Sequence, residues 1–102
     1  MKKRRKRYLL FRLHGGAEGI TRKDLSQAIW KNLLSIYGET TAADSSFYLN
    51  QFDNISGTGV LQCDERLLKE IIIAASLIEA IHENLVAFQP LKTSGTLKAL
   101  KK

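Results

Sequence analysis

Apolar residues recur along this chain with two different periods, and the order in which those periods alternate is the strongest constraint on its fold. Residues 6–14 show period two. Leu9, Phe11 and Leu13 alternate with Tyr8, Leu10 and Arg12, the pattern of a strand with one buried face. Gly15, Gly16 and Gly19 break the alternation, so 14–20 reads as a loop. A helical period follows. Thr21 and Asp24 are spaced as a capping box, with Asp in place of the usual Glu, and a helix is predicted over 22–37, ended by Gly38. Leu25, Ile29, Leu33 and Ile36 fall on one stripe of it, wide enough to pack on a sheet.

Alternation returns at 46–53, where Phe47 and Leu49 are set against Tyr48 and Phe52. Asp53-Asn54-Ile55-Ser56-Gly57 is turn chemistry, and 58–63 is a third strand, so strands two and three form a hairpin. Asp64 is a good N-cap, and Glu65 suits the positive end of a helix dipole. The second helix is predicted to run to about Glu83, with Asn84 as its terminator and a core stripe of Leu67, Ile71, Ala74, Ile78 and Ile81. A fourth strand spans 85–92. It holds Pro90, the only proline, which lacks the N–H a ladder needs and so argues for an edge position. The order β-α-β-β-α-β predicts an α+β, ferredoxin-like (RRM-like) sandwich: a four-stranded antiparallel sheet in order 4-1-3-2 with both helices on one face. At 102 residues the chain is one domain, 1–102, with a basic tail at 1–6 and a basic segment at 93–102.

Charge is segregated along that domain. The net value is +6, yet residues 2–7 alone supply six positive charges. Residues 91–102 hold four lysines and no acid, and the stretch between, 8–90, carries six basic and ten acidic residues. An acidic body with two cationic ends suits a polyanion held by the termini, with an address signal as the plainer alternative. The longest apolar run is five residues, 71–75, far short of the ~20 a bilayer requires. A single cysteine, Cys63, excludes an internal disulfide or a structural zinc site and fits a reducing, cytoplasmic setting.

Both helices carry more apolar surface than one sheet can cover. Trp30, Leu34 and Tyr37 form a second stripe on the first helix, while Ile73 points almost opposite to the core stripe of the second and Leu77 lies on its flank. Side-by-side packing of the helices uses some of this surface, Leu77 and Tyr37 first. The rest is expected to dock a protein partner.

An enzyme's constellation is not visible. His14 and His82, the only histidines, have no Ser, Cys or carboxylate at a diagnostic spacing. Cys63 ends a strand that reads as buried. The loop Gly15-Gly16-Ala17-Glu18-Gly19 lacks the Gly-Lys-Ser/Thr ending of a phosphate loop, and the arginine cradle that acylphosphatases need after strand one is missing. The third strand holds no aromatic, so the base-stacking pair of RNA recognition motifs on strands one and three is incomplete, although Tyr8 is present.

Five features in this order and spacing resemble the ribonuclease P protein component 2 family: the basic start running into Arg7-Tyr8-Leu9-Leu10, the pair Tyr48-Leu49-Asn50 and Gly59-Val60-Leu61-Gln62-Cys63, the apolar second helix, and the closing Ser94-Gly95-Thr96-Leu97-Lys98. The short C-terminus looks like the archaeal form. Two departures stand out: Gln62 where members usually carry an arginine before the cysteine, and Asp64 where a basic residue often follows it. They shift the expected phosphate contacts toward the termini.

The resemblance implies a non-catalytic subunit of the ribonucleoprotein that removes 5′ leaders from precursor tRNA, in which the RNA performs the hydrolysis with its own magnesium and the protein binds no cofactor. It also implies pairing with ribonuclease P protein component 3, as a heterodimer that doubles into a heterotetramer containing two copies of this chain. Lys2, Lys3, Arg4, Arg5, Lys6, Arg7, Lys92, Ser94, Lys98, Lys101 and Lys102 are then the expected RNA contacts, with precursor tRNA engaged indirectly. Trp30, Leu34, Tyr37, Ile73 and Leu77 are the expected partner surface. The rival reading is a free-standing or ribosomal RNA-binding module of the same fold.

Overall fold

The computed structural model describes residues 5–15 and 19–96. Its first strand, β1 (Lys6–Gly15), pairs antiparallel on both sides, with β3 (Thr58–Asp64) and with β5 (Asn84–Ser94). β2 (Tyr48–Phe52) extends the sheet beyond β3, and a two-residue strand, β4 (Ala80–Ile81), extends it beyond the start of β5, giving the order β2-β3-β1-β5-β4. The strands' parity sorts their side chains. Leu9, Phe11 and Leu13 of β1 are buried in the core with Leu49, Leu61, Cys63, Val86 and Phe88, whereas Tyr8 and Leu10 are half-buried and Arg12 is exposed. Helices α1 (Arg22–Tyr37), α2 (Glu39–Asp44) and α3 (Leu68–Ser76) supply the rest of that core through Leu25, Ile29, Leu33, Ala42, Ile71, Ala74 and Ala75.

The aromatic centre of the core depends on a missing side chain. The Phe11 ring stacks on Phe88 at a centroid distance of 4.8 Å and on Phe52 at 6.2 Å. Gly59 lies directly across from Phe11 in the β1–β3 register. A Cβ there would stand 2.6 Å from Phe11 Cζ and 2.5 Å from the Gln51 carbonyl oxygen, so only glycine leaves room for the ring.

Helix α1 occupies the residues its sequence predicts, and for the predicted reasons. The Asp24 N–H donates to Thr21 Oγ1 (3.1 Å), and the Thr21 N–H donates to Asp24 Oδ2 (3.0 Å), which closes the capping box. Gly38, at φ 90°, ends the helix and turns the chain into α2. That short helix had no signal of its own, because Thr40 and Thr41 are weak helix formers.

The second half of the chain departs from expectation. Among the described residues the sheet has five strands rather than four, and there are three α-helices rather than two. The predicted second helix begins as a 3-10 turn at Glu65–Leu67, capped by Asp64, and α3 stops at Ser76 rather than near Glu83. Asn84 opens β5 rather than ending a helix. Ile78 and Ile81 are buried as predicted by the helical stripe, but beyond the end of α3, Ile81 from β4. Ile36, assigned to the core stripe of α1, is 44% exposed. His82 and Glu83 link β4 to β5 with φ of 50° and 69°, the left-handed pair of a tight hairpin. Such turns are ordinarily built from Asn and Gly, so the sequence hid this one.

β5 is therefore flanked by β4 only at Asn84 and Leu85, and its Pro90 lies beyond that short partner. Pro90 sits at a bulge, where the register steps from Leu10↔Lys92 to Phe11↔Pro90 and leaves Leu91 as the additional residue.

The unusual hairpin is tied to α1. His82 Nε2 lies 2.9 Å from Asp24 Oδ1, so one carboxylate both caps the helix and holds the hairpin tip. The His82 hydrogen bond, followed by the Thr21 N–H, pulls the Asp24 carboxyl from 3.8 down to about 2. A carboxylate with a depressed folded-state pKa stabilises the fold above its ordinary value and ceases to do so as pH falls through the depressed one. Thermal melts of the wild type and Asp24→Ala should differ near neutral pH and converge as pH drops from about 4 toward 2.

Candidate nucleic-acid interface and partner surface

Pairing of β1 with β5 brings the two ends of the described chain together. Tyr8 lies opposite Ser94, so Arg5, Lys6 and Arg7 stand at the same end of the sheet as Gly95. Arg5, Lys6, Arg7, Glu65 and Gly95 line a shallow cleft of about 470 Å³ there. The Arg5 carbonyl accepts from the Glu65 N–H at 2.7 Å, which fixes the backbone where the cationic run enters the sheet. A second cleft of about 300 Å³ continues past Arg5 to Asp64, Glu65 and Arg66. Arg66 forks onto Asp64, with Nε 3.2 Å from Oδ1 and Nη2 3.0 Å from Oδ2. The Asp64 side chain is 1% exposed and also accepts from the Arg66 N–H at 2.9 Å, so its charge is spent locally.

Of the predicted RNA contacts, Arg5, Lys6 and Lys92 are exposed, and Arg7 and Ser94 are half-buried. Ser94 Oγ accepts from the Thr96 N–H at 3.2 Å, closing a small turn at the strand exit. Lys2, Lys3, Arg4, Lys98, Lys101 and Lys102 lie outside the described residues, as do Gly16, Ala17 and Glu18 of the glycine loop. Arg66 was not singled out by charge counting. Its sequence signal is the i, i+2 relation to Asp64.

The helix surfaces divide. α1 and α3 pack against each other, and Asn32 Nδ2 donates to the Ala74 carbonyl at 3.0 Å across the seam. Leu34 and Tyr37 lean on the core as partly buried residues. Trp30 stays 39% exposed, Ile73 38% and Leu77 58%. Helix–helix packing thus absorbs part of the second stripe on α1 and leaves Leu77, expected to be covered first, in the open.

Among the described residues, no group of three or more His, Cys, Asp or Glu side chains comes together as a metal site, and no helix is long and apolar enough to cross a membrane. His14 Nε2 meets Gln89 Oε1 at 2.6 Å, joining β1 to β5. Cys63 is 1% exposed.

The fold thus combines a core packed under helices, an open sheet face and a cationic sheet end. The model of the Rpp14/Pop5 family matches residues 7–102, and the chain belongs to that family. It is 35% identical over 97 residues to ribonuclease P protein component 2 of Thermococcus gammatolerans, covering 94% of this chain and 79% of that protein. The corresponding component 2 proteins of Archaeoglobus fulgidus and Pyrococcus furiosus are 33% and 30% identical over 98 residues, covering 96% of this chain and 86% and 81% of theirs. In structure, the chain resembles one in the cryo-EM structure of yeast ribonuclease MRP, with a TM-score of 0.72 at 12% identity over 95% of this chain and 79% of that one.

Burial is the first cause that pushes the Cys63 thiol up to about 12, and the negative charges of Asp64 and Glu70 add to it. The thiolate is the reactive form. Cys63 should therefore resist iodoacetamide at pH 8 in the folded protein and react fully once denatured, as read by intact-mass spectrometry.

Proposed function

We propose a division of labour for a chain whose family and relatives make it a protein subunit of ribonuclease P. The match across residues 7–102 carries this reading. The cationic ends hold RNA, and the helix flanks hold a neighbouring protein. Leader removal from precursor tRNA is the reaction served. The RNA performs the hydrolysis with its bound magnesium, and this protein supports the RNA's active core without supplying a catalytic group. Ribonuclease P protein component 3 is the partner that fits the helix surface, in a heterodimer that doubles into a heterotetramer with two copies of this chain. The core of the architecture is the ferredoxin-like arrangement, β2-β3-β1-β5 with its helices, to which β4 adds an edge. The setting is the cytoplasm.

The physical support lies in the charge layout. Lys2 to Arg7 place six cations in succession, and β-pairing sets their inner members beside the strand that leads into the Lys92–Lys102 segment. Adjacent cations neutralise closely spaced phosphates and release their counterions, which gives affinity a steep salt dependence. Sequence-independent contact of this kind suits a subunit that reads the shape of one large RNA rather than a base sequence.

Reconstitution with ribonuclease P RNA tests this reading. Lys6 and Arg7 belong to β1, so replacing the basic residues of 2–7 with glutamine is a cleaner change than truncation. The variant should bind the RNA with a log–log salt slope smaller by roughly 0.7–0.9 per lost phosphate contact. It should also need more magnesium for precursor-tRNA cleavage. An unchanged slope would remove the N-terminal run from the interface. Trp30→Ala and Ile73→Ala should leave the melting temperature near wild type, because both side chains are partly exposed. Each should weaken association with component 3, Trp30→Ala by about 2 kcal/mol, measured by calorimetry.

A further inference from the structure

The open face of the sheet carries an aromatic pair that strand-by-strand reading misses. Tyr8 and Tyr48 both register on Gln62, Tyr8 from β1 and Tyr48 from β2, so the three side chains form one row across three strands. Leu9, Leu49, Leu61 and Cys63 point into the core, which places Tyr8, Tyr48 and Gln62 on the opposite face. Tyr48 is 53% exposed, and Tyr8 and Gln62 are half-buried.

The surroundings of this row are cationic. Lys6 and Arg12, which share the open face of β1 with Tyr8, are exposed. At the sheet edge Tyr48 borders a cleft of about 330 Å³ whose lining includes Arg22 and Lys23. The one carboxylate on the open side of the described strands, Asp64, is buried under its fork with Arg66. The row also adjoins the sheet end where Arg5, Lys6 and Arg7 gather, since Tyr8 itself pairs with Ser94.

We propose that Tyr8 and Tyr48, with Gln62 between them, form a platform on which unpaired bases of single-stranded RNA stack. The proposal rests on the RNA-subunit reading and extends it from phosphate contact to base contact. Aromatic faces accept any base, and the surrounding cations accept the phosphates that connect the bases. Gln62 offers both a donor and an acceptor to a base edge, which an arginine in its place would not. Strands one and three do not supply the pair of rings. Here strands one and two do, with a polar residue on the strand between.

The test uses the full chain and a short fluorescent oligouridine, titrated over a range of salt. Tyr48→Ala should weaken binding about five- to hundredfold with the salt slope unchanged, because a stacked base contributes no counterion release. Tyr48→Phe should bind near wild type. Photocrosslinking of wild type to the same oligonucleotide should place adducts on Tyr8 and Tyr48, a readout that needs no variant to fold. Wild-type affinity in Tyr48→Ala, or adducts confined to the basic ends, would overturn the platform and leave the RNA-subunit reading intact. Loss of component 3 binding in Tyr48→Ala with oligouridine affinity retained would make this face a protein dock and overturn the proposal. A wild type that binds neither oligouridine nor ribonuclease P RNA would overturn both readings together.

Discussion

Two-sided pairing of β1 is the constraint on which every surface of this protein depends. One strand hydrogen-bonds to β3 and β5 at once, so its parity dictates the parity of both neighbours. Leu9, Phe11 and Leu13 turn toward the helices, and Tyr8, Leu10 and Arg12 turn away. Phe11 is the pin of this arrangement, clasped between Phe52 and Phe88 over the empty side of Gly59. A slip of one residue would exchange the two faces along the whole sheet, so the burial of three side chains also orients the row of tyrosines.

The same strand explains how a small domain keeps its charges and its apolar surplus apart. Arg5 to Arg7 enter the sheet at the end where β5 leaves it, so the described cations of the N-terminal run stand beside Gly95. The helices occupy the other face, and their exposed Trp30, Ile73 and Leu77 look away from the open strands. The described cations of the sheet end and the exposed apolar side chains of the helices are therefore separate sets of residues. Small size favours this economy, because about a hundred residues cannot build two cores and a surface recruited twice would have to choose between ligands.

Much of the first half of the fold could be read from residues alone, because its signals are local and mutually consistent. Thr21, Asp24 and Gly38 bracket α1 to the residue, and the Asp53–Gly57 turn defines the β2–β3 hairpin. The second half resisted because a helical stripe and an extended hairpin bury the same positions. Ile78 and Ile81 fit a 3.6-residue period, yet they reach the core from β4 and the residues before it. The deciding feature is a left-handed pair at His82 and Glu83 in place of the usual Asn-Gly, with His82 held by Asp24, a residue far away in sequence. For the candidate site, counting gives the cationic ends as an expectation, and periodicity gives Trp30, Ile73 and Leu77, which the structure leaves exposed. Tyr48 was not legible, since its meaning comes from the residue beside it on β3 rather than from its own strand. Its pairing with Gln62 is a tertiary fact.

The bulge at Leu91 has a consequence beyond its local kink. Upstream of it, Val86 and Phe88 of β5 face the oily interior, and Pro90 follows their parity. The additional residue resets the count, so Lys92 and Ser94 emerge on the wet side next to Leu10 and Tyr8. With Leu91 kept but the strand left regular, Lys92 would take the parity of Phe88 and Pro90 and be aimed into hydrocarbon. The irregularity at this one spot, rather than chemistry, decides whether the strand's last third is wall or window.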